Sequence, residues 1–180
     1  MNIRIISGKY GGRKIEAPDN RRTHPMSERI RNALFNSVGS EISGADVLDV
    51  FAGTGAVGLE ALSRGAHHVT FIERDRVAQK VLASNIVLLN AEENTTIIRT
   101  TASNWLDTAS PQLFDIIFAD PPYHDTQFST VSKILGLLKP GGLMVLSHPG
   151  RGEIPTKTGV VVVDNRSYGN AYLTFYRREV

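Results

Sequence analysis

A glycine-rich turn between an apolar run and a helical pattern constrains the fold of this chain more than any other segment. Residues 48–50 have the composition of a buried strand, and Gly53, Gly55 and Gly58 follow with the spacing G-x-G-x-x-G. Glycines at these positions allow a tight turn and a close helix–strand approach. Glu73 lies 20 residues after Gly53, where a carboxylate can accept hydrogen bonds from ribose hydroxyls. The motif predicts a nucleoside-containing cofactor, and by itself it leaves a nicotinamide dinucleotide and S-adenosylmethionine both open.

Strand and helix patterns alternate through the rest of the chain, which predicts a doubly wound α/β fold with a mostly parallel sheet. A small β-hairpin opens the chain, a helix capped by Ser27 follows it, and an antiparallel hairpin closes it. The predicted strands are 4–6, 14–16, 46–50, 68–72, 95–100, 115–119, 143–147, 160–165 and 172–177, and the later helices are 57–64, 77–89 and 128–138. Pro140-Gly141-Gly142 is interpreted as the stop signal of the last helix.

Ligands of such sheets bind beyond the carboxyl ends of the strands, so residues 50–58, 73, 101–104 and 120–123 should surround one crevice. Asp49 ends the first strand of the unit, four residues before Gly53. A carboxylate there would repel a pyrophosphate at the helix N-terminus, whereas it suits the ammonium and sulfonium of S-adenosylmethionine. The acid therefore favours S-adenosylmethionine.

The segment Asp120-Pro121-Pro122-Tyr123 follows the predicted strand 115–119 directly. Two prolines remove two N–H donors and hold the backbone extended, so the segment offers acceptors, the Asp120 carboxylate and the Pro121 carbonyl. An exocyclic amine of a nucleobase needs such acceptors, because both of its N–H bonds can then be held while its lone pair faces a methyl donor. Tyr123 provides a ring for stacking the base. The segment predicts methylation of an exocyclic amine, in guanine or adenine alike.

Composition narrows the chemistry and indicates a partner. The chain has no cysteine, which excludes disulfides, thiolate metal sites and a cysteine nucleophile, and its scattered histidines, expected in loops or at the surface, have no metal-site spacing. Residues 1–31 hold eight basic and three acidic side chains, a balance of +5 that leaves −3 for the remainder of a chain of net charge +2. A basic segment on a slightly acidic body indicates a polyanionic partner.

Several segments together resemble the RsmD family of bacterial 16S rRNA guanine-N2 methyltransferases. They are Ile6-Ser7-Gly8 with Gly11-Gly12-Arg13-Lys14-Ile15, then residues 25–36 from Pro25-Met26-Ser27 to Phe35-Asn36, residues 48–65, and Asp120-Pro121-Pro122-Tyr123. The chain departs from the family at His24-Pro25-Met26, where the family has Arg-Pro-Thr. It also has Thr101-Ala102-Ser103 where many methyltransferases place an acid, so backbone or hydroxyl contacts to the cofactor are expected there.

The resemblance implies a seven-stranded, Rossmann-like methyltransferase sheet, S-adenosylmethionine as methyl donor, and one guanine of 16S rRNA as target within a 30S assembly intermediate. Residues 1–40 would form an RNA-binding extension and residues 41–180 the methyltransferase domain. Asp120, Pro121, Pro122 and Tyr123 would be catalytic. Cofactor contacts would come from Asp49, Phe51, Ala52, Gly53, Thr54, Gly55, Glu73, Arg74, Thr101, Ala102, Ser103 and Asp120. Substrate contacts would come from Arg4, Lys9, Arg13, Lys14, Arg21, Arg22 and Tyr123.

Three other functions fit part of the sequence. Adenine-N6 methylation of DNA or RNA uses very similar motifs, a catalytically silent RNA-binding assembly factor could keep the fold, and a nicotinamide oxidoreductase could use the glycine turn. No export signal and no membrane-length apolar run is visible, so a monomeric cytoplasmic protein without a metal is expected.

Overall fold

A computed structural model describes residues 1–18, 26–108 and 112–180 and shows an α/β sandwich preceded by a small hairpin. The strands are β1 (Asn2–Arg4), β2 (Lys14–Glu16), β3 (Asp46–Val50), β4 (His68–Ile72), β5 (Thr95–Ile98), β6 (Phe114–Ala119), β7 (Leu138–His148), β8 (Val160–Tyr168) and β9 (Ala171–Arg178). The helices are α1 (Glu28–Val38), α2 (Ala56–Ser63), α3 (Arg76–Leu88), α4 (Ala102–Thr108) and α5 (Phe128–Leu135). No helix in these ranges has the length and apolar run needed to cross a membrane.

The main sheet has seven strands in the order β5-β4-β3-β6-β7-β9-β8. Strands β3 to β7 pair in parallel, and β9 runs antiparallel to both β7 and β8. Two hydrophobic clusters cover the two faces of the sheet, as expected when parallel strands are buried on both sides. The predicted fold class is confirmed. The strand order reverses between β3 and β6, and this switch point is where open α/β sheets bind their ligands.

The N-terminal hairpin of β1 and β2 packs onto α2 through buried polar contacts. The Glu60 carboxylate, which is 0% exposed, accepts hydrogen bonds from the Ile6 N–H at 2.9 Å and the Ser7 N–H at 3.1 Å. A Cβ on Gly8 would lie 1.9 Å from the Ser63 carbonyl oxygen, so glycine is needed for this close approach. Hairpin side chains also share a hydrophobic cluster with α1, α2 and α3, and these are Ile3, Ile5, Tyr10 and Ile15.

The structure differs from the predicted elements in four main places. Strand β1 spans Asn2–Arg4 rather than 4–6, because these three residues pair with Lys14–Glu16 and the Ile6 N–H donates to the Glu60 carboxylate instead. Helix α4 was not predicted; the Thr101 hydroxyl accepts the Asn104 N–H at 3.0 Å in its first turn. Helix α5 ends at Leu135 rather than 138, because the Phe114 N–H donates to the Leu137 carbonyl at 2.8 Å and draws the chain into the sheet. Pro140-Gly141-Gly142 consequently lies within the irregular start of β7 and not at a helix end.

Candidate active site

The two sequence motifs meet at the carboxyl edge of neighbouring strands. In the parallel pair of β3 and β6, Val50 is in register with Ala119. The chain leaves β3 into the glycine loop (residues 51–55) and leaves β6 into Asp120-Pro121-Pro122-Tyr123, so both segments begin side by side. Strand β4, which pairs with β3 on the other side, ends next to Glu73. The predicted crevice is therefore formed by three adjacent strands.

Three residues of the glycine loop have a backbone conformation that residues other than glycine rarely adopt. Phe51, Gly53 and Gly55 have φ angles of 62°, 58° and 90°, in the left-handed region. A Cβ on Gly55 would lie 2.4 Å from the Leu82 Cδ1, whereas a Cβ on Gly53 would have no atom within 4 Å. Gly55 is thus required for packing against α3, while Gly53 borders open space at the mouth of the crevice.

Two carboxylates accept backbone N–H groups, one from the glycine loop and one from the helix that follows it. Glu73 accepts from the Gly53 N–H at 2.7 Å through Oε1 and from the Asp75 N–H at 2.8 Å through Oε2. Asp49, which is 3% exposed, accepts from the Gly58 N–H of α2 at 2.9 Å. A Cβ on Gly58 would lie 2.9 Å from this Asp49 oxygen and 2.3 Å from the Phe71 ring, so the third glycine permits close helix packing.

Burial raises the pKa of Asp49 well above its ordinary value, although the hydrogen bond from Gly58 acts in the opposite direction. The charges of Asp120 and Glu73 raise this pKa further, so the three carboxylates interact electrostatically. The ion pairs found within residues 1–18, 26–108 and 112–180 involve none of these three acids. The negative charge of Asp49 is therefore poorly compensated in the crevice, so a cationic ligand would stabilise it and a pyrophosphate would not.

The Asp-Pro-Pro-Tyr segment is anchored to β7. The Tyr123 hydroxyl and the Ser147 hydroxyl are 2.8 Å apart, and the Tyr123 side chain remains 40% exposed. Desolvation raises the pKa of Asp120 to about 6, while the Ser147 hydroxyl opposes the shift. Burial also raises the pKa of Tyr123, so its phenol stays protonated at neutral pH. Ser147 was not predicted, because nothing in its local sequence distinguishes it from other strand residues.

A second unpredicted residue, Asn85 of α3, joins the hairpin to the glycine loop. Its side-chain amide donates to the Thr54 carbonyl at 3.0 Å and to the Glu16 carbonyl at 2.9 Å, and its oxygen accepts from the Glu16 N–H at 2.9 Å. Asn85 is 1% exposed. The conformation of the loop is therefore coupled to the docking of β2. No sequence signal marks Asn85, because its partners lie 31 and 69 residues away.

The other predicted cofactor residues lie at the margin of the crevice. Ala52 is half-buried in the glycine loop, and Arg74 is exposed beside Glu73. Thr101, Ala102 and Ser103 follow β5, which is separated from β3 by β4. Ala102 is buried, whereas Ser103 is exposed. Within the described parts of the chain, no group of three or more His, Asp or Glu side chains is arranged to hold a metal ion.

Four of the predicted substrate-binding cations lie on the described part of the N-terminal hairpin. Arg4 forms a surface ion pair with Glu28, Lys9 lies over the Tyr10 ring at 4.9 Å, and Arg13 donates to the Leu88 carbonyl at 2.8 Å. Lys14 is exposed, and Arg21 and Arg22 lie outside the described residues, as do His24 and Pro25 of the segment that departs from the RsmD pattern. One histidine differs from the sequence-based expectation, because His148 is 5% exposed and lies at the end of β7.

Comparison with known proteins shows the family of the chain. A sequence model of the family described as "Conserved hypothetical protein 95" matches residues 3–177. The chain belongs to this family. The predicted resemblance to RsmD is confirmed, since "Ribosomal RNA small subunit methyltransferase D" of Escherichia coli is 42% identical over 122 residues, 67% of this chain and 60% of that protein. "Putative rRNA methyltransferase YlbH" of Bacillus subtilis is 31% identical over 98% of this chain and 99% of that protein.

Two solved structures are similar to this chain over its whole length. "Putative methyltransferase yhhF from Escherichia coli" has a TM-score of 0.89 at 32% identity, covering 99% of each chain. A putative methylase from Haemophilus influenzae, HI0767, has a TM-score of 0.84 at 28% identity, covering 100% of each chain. The overall fold of this chain, from end to end, is therefore shared with these two structures.

Proposed function

We propose that this protein transfers the methyl group of S-adenosylmethionine to the exocyclic N2 of a guanine in 16S rRNA. The names of the E. coli and B. subtilis relatives support an rRNA substrate. The choice of guanine follows from the resemblance to the RsmD family. The same resemblance supports action on a 30S assembly intermediate. We further propose that the protein is a cytoplasmic monomer, with residues 1–40 as the RNA-binding extension and residues 41–180 as the methyltransferase domain.

One observation carries the proposal: the carboxylates of Asp49, Glu73 and Asp120 share a crevice and form no ion pair within the described residues. S-adenosylmethionine brings an ammonium and a sulfonium, and it carries no phosphate. Open space beside Gly53 leaves room for a ligand at the loop. These residues fit S-adenosylmethionine and oppose a dinucleotide, whose pyrophosphate would lie beside three carboxylates that have no cationic partner among the described residues.

When bound, S-adenosylmethionine supplies an electrophilic methyl group on its sulfonium. The residues of this chain orient the acceptor: the Asp120 carboxylate and the Pro121 carbonyl accept the two N–H bonds of the base, and the Tyr123 ring stacks on it. Asp49, the glycine loop and Glu73 would hold the cofactor so that its methyl carbon faces the nitrogen lone pair, and the carbon–sulfur bond would break onto sulfur as the carbon–nitrogen bond forms. The methylated nitrogen afterwards releases a proton, which Asp120 can accept because its pKa is about 6.

Adenine-N6 methylation is the second candidate, because Asp120-Pro121-Pro122-Tyr123 would hold either amine. The deciding experiment incubates the protein and tritiated S-adenosylmethionine with 16S rRNA and with 30S particles, followed by digestion to nucleosides. We expect label in N2-methylguanosine. Label in N6-methyladenosine would replace guanine by adenine in the proposal. Absence of transfer, with no S-adenosylhomocysteine binding by calorimetry, would favour the silent assembly factor, and tight NADH binding would favour the oxidoreductase.

The rate should fall below about pH 6. Asp120 must be ionised to accept an amine N–H, and its pKa is about 6, so protonation should remove the acceptor on the acidic side. The expected profile of kcat/KM for S-adenosylmethionine is flat from pH 7 to 8 and falls about tenfold per unit below the break. The measurement uses 16S rRNA at constant ionic strength. A profile that stays flat to pH 5 would contradict this role of the carboxylate.

A further inference from the structure

We propose that Tyr172 forms a stacking subsite for an unpaired nucleobase next to the methylated nucleotide. This inference rests on the proposed RNA substrate and extends the site beyond Asp120-Pro121-Pro122-Tyr123. Tyr172 is 38% exposed at the carboxyl edge of the sheet, so part of its ring is available to a ligand. It lies outside every motif from which the function was predicted.

The sheet register places Tyr172 close to the reactive segment. Ala119 of β6 is in register with Leu146 of β7, and His148 of β7 is in register with Tyr172 of β9. Asp120 and Tyr172 are thus two strands apart on the same rim of the sheet. Neighbouring strands are about 4.8 Å apart, so their backbones are separated by about 10 Å. Bases of single-stranded RNA can be splayed over such a distance and stacked on separate rings.

One neighbour of the Tyr172 ring, the imidazole of His148, is itself fixed by several contacts. The Tyr172 ring stacks on the His148 imidazole, with the ring centroids 5.9 Å apart and an interplanar angle of 25°. The His148 Nε2 lies 2.7 Å from the Thr174 hydroxyl, its Nδ1 accepts from the Gly150 N–H at 3.1 Å, and the Phe128 ring meets it edge-on. A fixed ring binds a base at little cost in conformational entropy.

The same end of β7 supports two exposed tyrosines. Ser147 holds Tyr123 through its hydroxyl, and the next residue, His148, stacks under Tyr172. The two rings therefore stand on either side of one short segment, which suits two bases that are spread apart. Arg151, which follows Gly150, is exposed beside this segment and can neutralise a phosphate of the same strand. This charge favours a nucleic acid over an apolar protein surface as the occupant.

The test compares Tyr172→Leu and Tyr172→Phe with the unchanged protein. The probe is an RNA hairpin that carries the target guanine, with 2-aminopurine at the neighbouring position. Stacking on an aromatic ring strengthens binding of a base by about 5- to 150-fold, so Tyr172→Leu should weaken RNA binding by about that factor and lose the fluorescence quench. Tyr172→Phe should stay within about twofold, because it keeps the ring. Binding of S-adenosylhomocysteine should not change in either variant.

Two further variants keep the test decisive. Gly150→Ala would place a Cβ 2.3 Å from the Tyr172 ring, so it should displace the ring and weaken RNA binding without removing it. Val163→Ala on exposed β8 serves as the control and should bind RNA normally. Unchanged RNA affinity and quench in folded Tyr172→Leu would overturn the subsite. Methyl transfer by the unchanged protein is measured separately, so a failure of the proposed function gives a different result from a failure of the subsite.

Discussion

Asp120→Asn should reduce kcat for methyl transfer by about 100-fold or more while leaving the protein folded. The substitution keeps the shape of the side chain but removes the charged acceptor, and loss of one preorganised electrostatic contact typically costs about 10²–10³ in rate. Binding of S-adenosylmethionine should weaken by less than about tenfold, because Asp49, Glu73 and the glycine loop remain in place. Single-turnover transfer to rRNA and calorimetry with S-adenosylhomocysteine measure the two quantities.

The same substitution should stabilise the free protein at neutral pH. The pKa of Asp120 rises from 3.8 in the unfolded chain to about 6 in the folded one, so ionisation of the folded protein is unfavourable. The cost is fully present above about pH 6 and disappears below about pH 4, where the carboxyl is protonated in both states. Asp120→Asn should therefore raise the free energy of unfolding by about 1–3 kcal/mol at pH 8 and not at pH 4.

Asp125→Asn is the matched control, because Asp125 is an exposed carboxylate five residues further along the same loop. It should change neither kcat nor the thermal midpoint at either pH. If Asp120→Asn retained more than about a tenth of wild-type kcat, the Asp120 carboxylate would not be the acceptor that orients the amine. If its stability gain were equal at pH 4 and pH 8, ionisation of Asp120 would not be the cause.

Glu60→Ala should produce the largest loss of stability among simple substitutions outside the crevice. Glu60 accepts from Ile6, Ser7 and Arg64 and pairs with Arg31 at 3.3 Å, with both charges of this pair fully buried. Removal would leave Arg31 as a buried cation without its carboxylate, and burial already lowers the pKa of Arg31. Breaking a buried pair costs about 3–5 kcal/mol, which corresponds to a fall in the thermal midpoint of about 10 °C.

The loss should be concentrated at the hairpin, because two backbone N–H groups would lose their acceptor together. Hydrogen exchange at the Ile6 and Ser7 amides should accelerate more than exchange in β3 or β6. Glu28→Ala is the control, since Glu28 forms an exposed pair with Arg4 and should have little effect on the thermal midpoint. If Glu60→Ala and Glu28→Ala lowered the thermal midpoint equally, the buried contacts of Glu60 would add no more stability than the exposed pair of Glu28.

Much of the fold was predictable because its signals are local. Strands β3 and β4 match the predicted 46–50 and 68–72, and α2 and α3 begin within one residue of the predicted helices. Each of these signals is an apolar run, a glycine turn or a helix cap that spans only a few residues. The Ser27 cap, for example, accepts the Ile30 N–H at 3.2 Å. Errors arose where pairing across the sheet outweighed local preference. Leu138 joins β7 opposite Phe114, although its own sequence favoured a longer α5.

The sequence by itself was enough to predict which residues meet at the crevice. Gly53, Asp49, Glu73 and Asp120-Pro121-Pro122-Tyr123 were identified from spacing, because parallel strands of one sheet bring their carboxyl ends to a common edge. Only the tertiary structure decided what holds those residues in place. Three such contacts join positions 24 to 69 residues apart: Ser147 bonds to Tyr123, His148 stacks on Tyr172, and Asn85 links β2 to the glycine loop. Such contacts form between side chains that are distant in the sequence and meet only after folding, so no local sequence pattern predicts them.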